Sequence, residues 1–235
     1  MERVVAITFD DGPNPKITPL ILKVLKEKDV KATFFLIGWL AEQYPDVVKQ
    51  IIQEGHSVGN HTYNHHGGLP DLLNDKGEEA VREEVQKGDA AVRKVAGFSQ
   101  EQPLYFRPPG LAWDERVEAI VRPIYGDRIF KTGLCGSDYN WNDNNGNWPE
   151  NDPNIAVKAQ LIIDDVKAVA EPRSVLVVAL HDSSEYGVPG QKKQFTNWTD
   201  RAYPTLQALP GIIDYLREQD WTITTLDKLD LSAVD

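Results

Sequence analysis

The order of apolar and amphipathic segments constrains the fold of this chain more than any other feature of its sequence. Seven short segments, most of them rich in β-branched and aromatic residues, are predicted strands: 4–9, 32–37, 57–60, 104–107, 129–134, 175–180 and 221–226. Several are apolar throughout, without the alternation of a strand that is exposed on one face. Such strands are typical of a parallel sheet that is covered on both faces.

Stretches with apolar residues at helical spacing separate the predicted strands. One helix is predicted to begin with Thr18 as its cap and Pro19 as its first residue, and another to end at Gln53 after a break at Pro45. Four more are expected at 81–95, 116–124, 155–169 and 206–216. We therefore predict an α/β fold: a single domain over residues 1–235 that forms an irregular (β/α) barrel of about seven parallel strands. An open doubly wound sheet is the alternative.

Charge and cysteine content exclude several classes of function. The chain has 25 Lys and Arg against 36 Asp and Glu, a net charge of −11, which disfavours binding to nucleic acids and anionic membranes. Cys135 is the single cysteine, so an intramolecular disulfide and a cysteine-rich metal site are excluded. No apolar run is long enough to span a membrane. We expect a monomer that binds neither nucleic acid nor a membrane.

The first residues of the sequence bear on where the protein works. Residues 1–11 are predicted to form a strand, and they lack the apolar core and cleavage site of a signal peptide. We expect a secreted or extracytoplasmic protein whose export signal is absent from this sequence, with a cytoplasmic location as the alternative.

Chemically reactive side chains occur where the predicted strands end. They are Asp10 and Asp11 after the first strand, His61 and His65 after the third, Arg107 after the fourth, Asp138 after the fifth, and His181 after the sixth. In a parallel barrel these strand ends meet at one rim, which is where barrel active sites lie. The sequence thus predicts an active site at that rim.

The spacing of two histidines suggests a metal site. On a helical turn, His61 and His65 would present both imidazoles on one face, able to bind one cation. A carboxylate from the first strand would complete a three-ligand site with an open position, which is typical of catalytic zinc. Asp10 and Asp11 could then divide the roles of ligand and base. A surface histidine pair and a solvated Asp-Asp turn are the alternatives.

Four short motifs resemble those of one enzyme family in order and placement. They are TFDDGP at 8–13, HTYNH at 61–65, RPPG at 107–110 and LHD at 180–182. Together they resemble the polysaccharide deacetylases, carbohydrate esterase family 4, and the resemblance extends from Val4 to about Leu229. The resemblance implies that Asp11, His61 and His65 bind a metal, usually Zn²⁺ with Co²⁺ or Ni²⁺ as alternatives. It also implies that Asp10 is the general base and His181 the general acid. Arg107 would hold the carboxylate of the base.

The resemblance implies supporting roles for three further residues. The main-chain N–H of Gly110 would help to bind the oxyanion, Asp138 would tune the acid histidine, and Leu180 would line the pocket for the acetyl methyl group. The family often has Tyr at the position of Gly110 and Asp at the position of Cys135. Asp143 is therefore an alternative to Asp138.

An aromatic loop next to the predicted site is expected to bind sugar. Tyr139 and Trp141 lie in a long polar stretch, residues 139–154, where their rings could stack on pyranose faces. The expected function is metal-dependent deacetylation of an acetylated oligo- or polysaccharide, first of all chitin or a chitooligosaccharide, with acetylxylan or peptidoglycan as alternatives. Two alternatives lie outside this class. One is a non-catalytic carbohydrate-binding relative. The other is a non-haem iron oxygenase, whose facial triad also contains two His and one carboxylate.

Overall fold

The core of the protein is a parallel β-sheet. A computed structural model describes residues 2–131, 152–171, 173–183 and 202–230. Within them, six strands pair in the order β4-β3-β2-β1-β5, and β6 also pairs with β1. The strands are β1 Arg3–Gly12, β2 Thr33–Leu36, β3 Ser57–Asn60, β4 Tyr105–Phe106, β5 Val175–His181 and β6 Trp221–Thr224. Every paired neighbour is parallel, so the predicted α/β class with a parallel sheet is confirmed.

Strand β1 is the centre of the sheet. One of its edges pairs with β5 from Val4 to Asp10. Its other edge pairs first with β6, over Arg3–Ala6, and then with β2, over Thr8–Gly12. The carboxyl end of β1 therefore lies between β2 and β5.

The described residues form a less complete barrel than predicted. In the described ranges, β4 and β5 end the path of paired strands without meeting, so the sheet is a half-barrel. Only residues 129–131 of the predicted strand 129–134 are described, and there Ile129 makes one isolated parallel bridge to Phe106. The count of seven strands and the single domain over 1–235 stay predictions.

Eight helices are seen in the described residues. They are α1 Ile17–Glu27, α2 Gly38–Gln43, α3 Pro45–Gln53, α4 Leu69–Lys76, α5 Glu78–Ala96, α6 Glu115–Tyr125, α7 Ile155–Ala170 and α8 Tyr203–Glu218. Short 3₁₀ turns form at Pro109–Leu111 and Leu226–Lys228. The break at Pro45 is confirmed. None of the helices in the described ranges has both the length and the apolar character that a membrane span requires.

The start of α1 differs from the prediction. The helix begins at Ile17, so Thr18 is not its cap. The Asn14 side chain instead accepts hydrogen bonds from the backbone N–H groups of Lys16 and Ile17, at 2.9 and 3.0 Å. Thr18 Oγ1 accepts the N–H of Asn14 at 2.8 Å.

Both faces of the sheet are buried, which explains the apolar strands without alternation. Val5, Ile7 and Phe9 of β1 pack against the helices in the largest core cluster. Ala6 of β1 and Val177 of β5 belong to a second cluster on the concave face. Because side chains alternate along a strand, Thr8 and Asp10 point to the concave face together with Ala6.

Candidate active site

The ends of the strands bring the predicted polar residues together. Asp10 pairs in register with His181, the last residue of β5. Arg107 follows β4, and its backbone N–H donates to the carbonyl of Asn60, the last residue of β3. The predicted convergence at one edge of the sheet is therefore observed for the described residues.

Asp11, His61 and His65 form a compact cluster of potential metal ligands. Nε2 of His65 lies 3.1 Å from Asp11 Oδ1, and Nε2 of His61 lies 3.4 Å from the same oxygen. One ligand atom from each side chain lies within 4.8 Å of the others. Asp11 is fully buried and the two histidines are almost so.

The histidines reach this cluster from an irregular loop, not from the helical turn that their spacing suggested. Residues 61–66 contain no helix, and Thr62 and His65 adopt left-handed conformations with φ of 68° and 52°. The Thr62 hydroxyl accepts the backbone N–H of His65 at 3.1 Å. The helical explanation of the spacing is wrong, although the two imidazoles do lie together.

A backbone carbonyl orients the first histidine. Nδ1 of His61 lies 2.8 Å from the carbonyl oxygen of Arg107. A carbonyl can only accept, so Nδ1 carries the proton and Nε2 presents its lone pair toward Asp11. This tautomer is the one that a metal ligand needs.

The donor set fits a divalent cation. Both carboxylate oxygens of Asp11 are buried, and neither has a hydrogen-bond partner of good geometry among the described residues. Burial raises the pKa of Asp11, but the nearby imidazoles of His65, His61 and His181 outweigh burial and hold that pKa well below its ordinary value. A buried carboxylate is expected to be paired or to bind a metal. Two imidazoles and one carboxylate are ligands that Zn²⁺ accepts, and three protein ligands leave a position open.

Asp10 is held by a buried arginine. Nη1 of Arg107 donates to Asp10 Oδ1 at 2.7 Å and to Thr8 Oγ1 at 2.8 Å. Arg107 is fully buried, and its guanidinium carbon lies 4.2 and 4.9 Å from the ring centres of Phe35 and Phe130. Asp10 is thus fixed beside the cluster without being part of it.

The strand β5 supplies a histidine and a buried acid. Nε2 of His181 lies 4.0 Å from Asp11 Oδ2, and about a fifth of its side chain is exposed. The next residue, Asp182, accepts a hydrogen bond from the Thr18 hydroxyl, and its backbone N–H donates to the Asp10 carbonyl. Burial raises the pKa of Asp182 to about 7, and the nearby Asp11 and Asp10 carboxylates act in the same direction. Asp182 therefore joins the end of β5 to the turn after β1.

Leu180 does not reach this site. Its side chain belongs to the core cluster between the sheet and the helices, together with Leu176 and Val178. Neighbours along a strand point to opposite faces, so Ala179, which is 5% exposed, shares the face of His181. Gly110 lies at the surface in the 3₁₀ turn after Arg107, and its φ of 60° is a left-handed conformation that favours glycine.

Three predicted residues lie outside the described ranges. They are Asp138, Tyr139 and Trp141, and the alternative acid Asp143 and Cys135 lie outside as well. Their roles stay predictions.

The sequence reasoning missed two residues of the site. Thr8 supplies a second acceptor to Arg107, and its place two residues before Asp10 on one strand could have indicated a shared face. Glu84 of α5 accepts a hydrogen bond from Asn64, just before His65, but in sequence it is one acid in a charged helix and carries no distinguishing signal.

Known proteins resemble this chain over nearly its whole length. The family model described as polysaccharide deacetylase matches residues 1–124. A chitooligosaccharide deacetylase of Bradyrhizobium sp. is 33% identical over 227 residues, which are 97% of this chain and 90% of that protein. A peptidoglycan-N-acetylglucosamine deacetylase of Bacillus cereus is 30% identical over 232 residues, 97% of this chain and 88% of that protein.

A solved structure extends this similarity to the fold. The crystal structure of a peptidoglycan N-acetylglucosamine deacetylase superposes with a TM-score of 0.70 at 28% identity. The superposition covers 99% of this chain and 88% of that one. A protein related to this chain thus shares its overall fold.

Proposed function

Since the chain belongs to the polysaccharide deacetylase family, we propose that it hydrolyses acetyl groups from an acetylated glycan and releases acetate. The observation that carries this proposal is the buried cluster of Asp11, His61 and His65 beside an Asp10 held by Arg107. Because the chain belongs to this family, the alternative that it is a non-haem iron oxygenase is dropped.

The proposed cofactor is Zn²⁺, bound by Asp11, His61 and His65. The support is the donor set and the buried carboxylate oxygens of Asp11, for which the described residues offer no hydrogen-bond partner. A divalent ion held there supplies Lewis acidity, which polarises a carbonyl oxygen and makes water a better nucleophile at neutral pH. Co²⁺ and Ni²⁺ are the alternatives, and reconstitution of the metal-free protein with each ion distinguishes them.

Asp10 is the proposed general base. Its Oδ1 takes the hydrogen bond of Arg107, which fixes the carboxylate beside the metal ligands. In that position it takes a proton from the water that attacks the acetyl carbon. General base catalysis of this kind contributes typically about 10²–10⁴-fold.

His181 is the proposed general acid. Its Nε2 approaches Asp11 Oδ2, whereas His61 and His65 approach Oδ1, and its side chain is partly open to solvent, so it can meet the leaving group. As the C–N bond breaks, its proton goes to the departing amine nitrogen, and acetate leaves with the water oxygen. Asp138 is proposed to pair with His181, and the N–H of Gly110 to donate to the oxyanion.

The proposed substrate is a polymer or oligomer of N-acetylglucosamine, first of all a chitooligosaccharide. The support is the names of the chitooligosaccharide and peptidoglycan deacetylases that the chain resembles. Peptidoglycan and acetylxylan are the alternatives. Tyr139 and Trp141 are proposed to stack on the sugar rings.

An extracytoplasmic location and a monomeric state are also proposed. Large glycans such as chitin and peptidoglycan lie outside the cytoplasm, where this enzyme would meet them. Fractionation of the source cells and measurement of the mass in solution test the two statements.

A single assay with two variants tests the proposed function. Acetate release is measured on chitohexaose, peptidoglycan and acetylated xylan, after chelation and again after addition of Zn²⁺. Chelation should abolish the release and Zn²⁺ should restore it. No acetate from any of the three by the zinc-loaded protein would contradict the proposal.

The two neighbouring aspartates serve as matched variants in that assay. Asp11→Asn should lose both metal and activity, because it removes a ligand. Asp10→Asn should keep its metal, measured by elemental analysis, and lose at least about 10²-fold in kcat/KM. If Asp10→Asn loses metal as completely as Asp11→Asn, the assignment of base and ligand is wrong.

A further inference from the structure

Helix α5 packs closely under the segment that carries the two histidine ligands. We call residues 61–66 the ligand loop. A Cβ atom added at Gly88 of α5 would lie 2.6 Å from the carbonyl carbon of Thr62. The backbone N–H of Tyr63 donates to the carbonyl of Glu84 at 3.2 Å. The helix therefore supports the loop directly, backbone against backbone.

The side chain of Glu84 makes the polar contacts between this helix and the loop. It is 5% exposed. One carboxylate oxygen accepts the backbone N–H of Asn64, and the other accepts the Asn64 side-chain amide at 2.8 Å. Nε2 of His66 lies 3.9 Å from the same carboxylate. Within the described residues, every hydrogen bond of the Glu84 side chain goes to the residue just before His65.

The ligand loop needs such a support because its backbone is unusual. Thr62 and His65 both have φ in the left-handed region, which costs a residue with a Cβ about 1 kcal/mol or more. Conformations of this kind persist only where their surroundings hold them. Glu84 holds the backbone at Asn64, between the two left-handed residues.

We propose that Glu84 is a positioning residue for the metal site. By accepting two hydrogen bonds from Asn64, it holds His65 in the left-handed conformation that aims the imidazole at Asp11, and so it sets the affinity of the site for its metal. This inference rests on the proposed function, since it takes Asp11, His61 and His65 as the ligands.

Metal affinity tests the proposal without any substrate. Metal-free wild type, Glu84→Ala and Glu84→Gln are titrated with Zn²⁺ against a chromophoric chelator. Loss of a residue that orients a ligand typically weakens metal binding by about 10–100-fold, and we expect this for Glu84→Ala. Glu84→Gln should lose less, because its amide oxygen can still accept the N–H of Asn64. Glu83→Gln is the matched control, because it removes the same charge from the neighbouring, exposed position of α5, and it should bind Zn²⁺ like wild type.

Two further measurements separate positioning from a merely structural role. The visible spectrum of the Co²⁺-substituted protein reports ligand geometry and should change in Glu84→Ala. The unfolding temperature of the metal-free proteins reports the fold. A lower metal-free unfolding temperature with wild-type Zn²⁺ affinity and Co²⁺ spectrum would overturn the proposal.

The remaining outcomes are also decisive. If Glu84→Ala does not fold, Glu84→Gln decides alone: Zn²⁺ affinity within twofold of wild type overturns the proposal, and a larger loss with a wild-type Glu83→Gln supports it. If wild type binds no Zn²⁺, the proposed function fails first, which is visible before any variant is compared.

Discussion

Arg107 is a fully buried charge whose one ionic partner in the described residues is Asp10. Its guanidinium lies against the rings of Phe35 and Phe130, so the pair is shielded from water on the concave face. A charge in such a place is tolerated only while it is paired. The strength of this pair is what keeps Asp10 in one orientation.

Breaking the pair should cost stability as well as activity. Arg107→Met leaves the Asp10 carboxylate buried without its partner, and we expect a loss of about 3–5 kcal/mol in the free energy of unfolding. The double variant Asp10→Asn/Arg107→Met removes the orphaned charge and should recover part of that loss. Denaturant unfolding of the metal-free proteins measures both. A double variant that is no more stable than Arg107→Met would show that the pair carries little of this energy.

His56 should make the protein sensitive to acid. Its Nδ1 accepts the backbone N–H of Ala32 at 3.0 Å, and its ring packs edge-on against Phe34. Burial lowers the pKa of His56 to about 4, and the charge of Lys31 adds to this. The folded state therefore prefers the neutral ring. The stabilisation is complete above pH 6.5 and is lost as the pH falls toward 4.

His56→Gln tests this pH dependence, because glutamine stays neutral throughout. A difference of about 2.5 pKa units corresponds to about 3 kcal/mol. The stability advantage of wild type over the variant should shrink by about that amount between pH 7.5 and pH 4, measured on metal-free protein. A difference that stays constant with pH would assign the acid sensitivity to other groups.

Among the elements, α5 is the helix whose position matters most to the site. Gly88 lets α5 approach the backbone of the ligand loop. A Cβ atom added at Gly211 of α8 would meet only the end of the Ile163 side chain. Alanine stabilises a helix interior by about 1 kcal/mol relative to glycine. The same substitution in the two helices should therefore have different outcomes.

Gly88→Ala should destabilise the protein and Gly211→Ala should not. At Gly88 the new methyl group meets backbone that cannot yield, a type of overpacking that costs about 1–3 kcal/mol. At Gly211 the gain in helix propensity offsets the movement of a flexible side chain, so we expect a change below about 1 kcal/mol. Thermal unfolding compares the two. Equal changes in unfolding temperature for the two variants would mean that the backbone of the ligand loop can move to make room for the new methyl group.

The elements that the sequence predicted least well are the ones whose shape depends on distant partners. The strand 175–180 was predicted to within one residue because its unbroken run of apolar residues is a local pattern. The conformation of His65 depends on Glu84, which is 19 positions away in sequence and in another element. The LHD motif suggested that Leu180 lines the site. Because side chains alternate along β5, the Leu180 side chain instead packs in the core between the sheet and the helices. Local patterns thus predicted where the proposed metal ligands lie, and contacts between elements decided how they are held.

For the molecule as a whole, the metal is expected to stabilise a fold that exists without it. The largest core cluster lies between the sheet and the helices, away from the concave edge that carries the ligands. At about 100 times the dissociation constant, Zn²⁺ should add about 2.7 kcal/mol, or roughly 5–10 °C in the unfolding temperature. Asp11→Asn should show no such rise. A metal-free wild type that lacks a cooperative transition would contradict this expectation.

The parallel α/β architecture could be predicted from the sequence, and its closure could not. Apolar strands separated by helices favour a parallel sheet whatever the order of the strands. Whether the two ends of the sheet meet depends on pairings between strands that are remote in sequence, and the bridge at Ile129 is too short to indicate them. The open half-barrel follows from those pairings.

The central place of β1 has a consequence for how the chain is made. A ribosome synthesises Arg3–Gly12 more than 160 residues before Val175–His181 and more than 200 before Trp221–Thr224, the neighbours that complete its two edges. Until then β2 is the only one of its three partner strands that has been made. The apolar side chains of β1 therefore stay unburied in the nascent chain. Parallel strands so far apart in sequence pair slowly, because a long loop has to close before any contact forms. We expect a chain released before residue 221 to be captured by chaperones or proteases, and the strand end that carries Asp10 and Asp11 to be fixed only after β5 has been made.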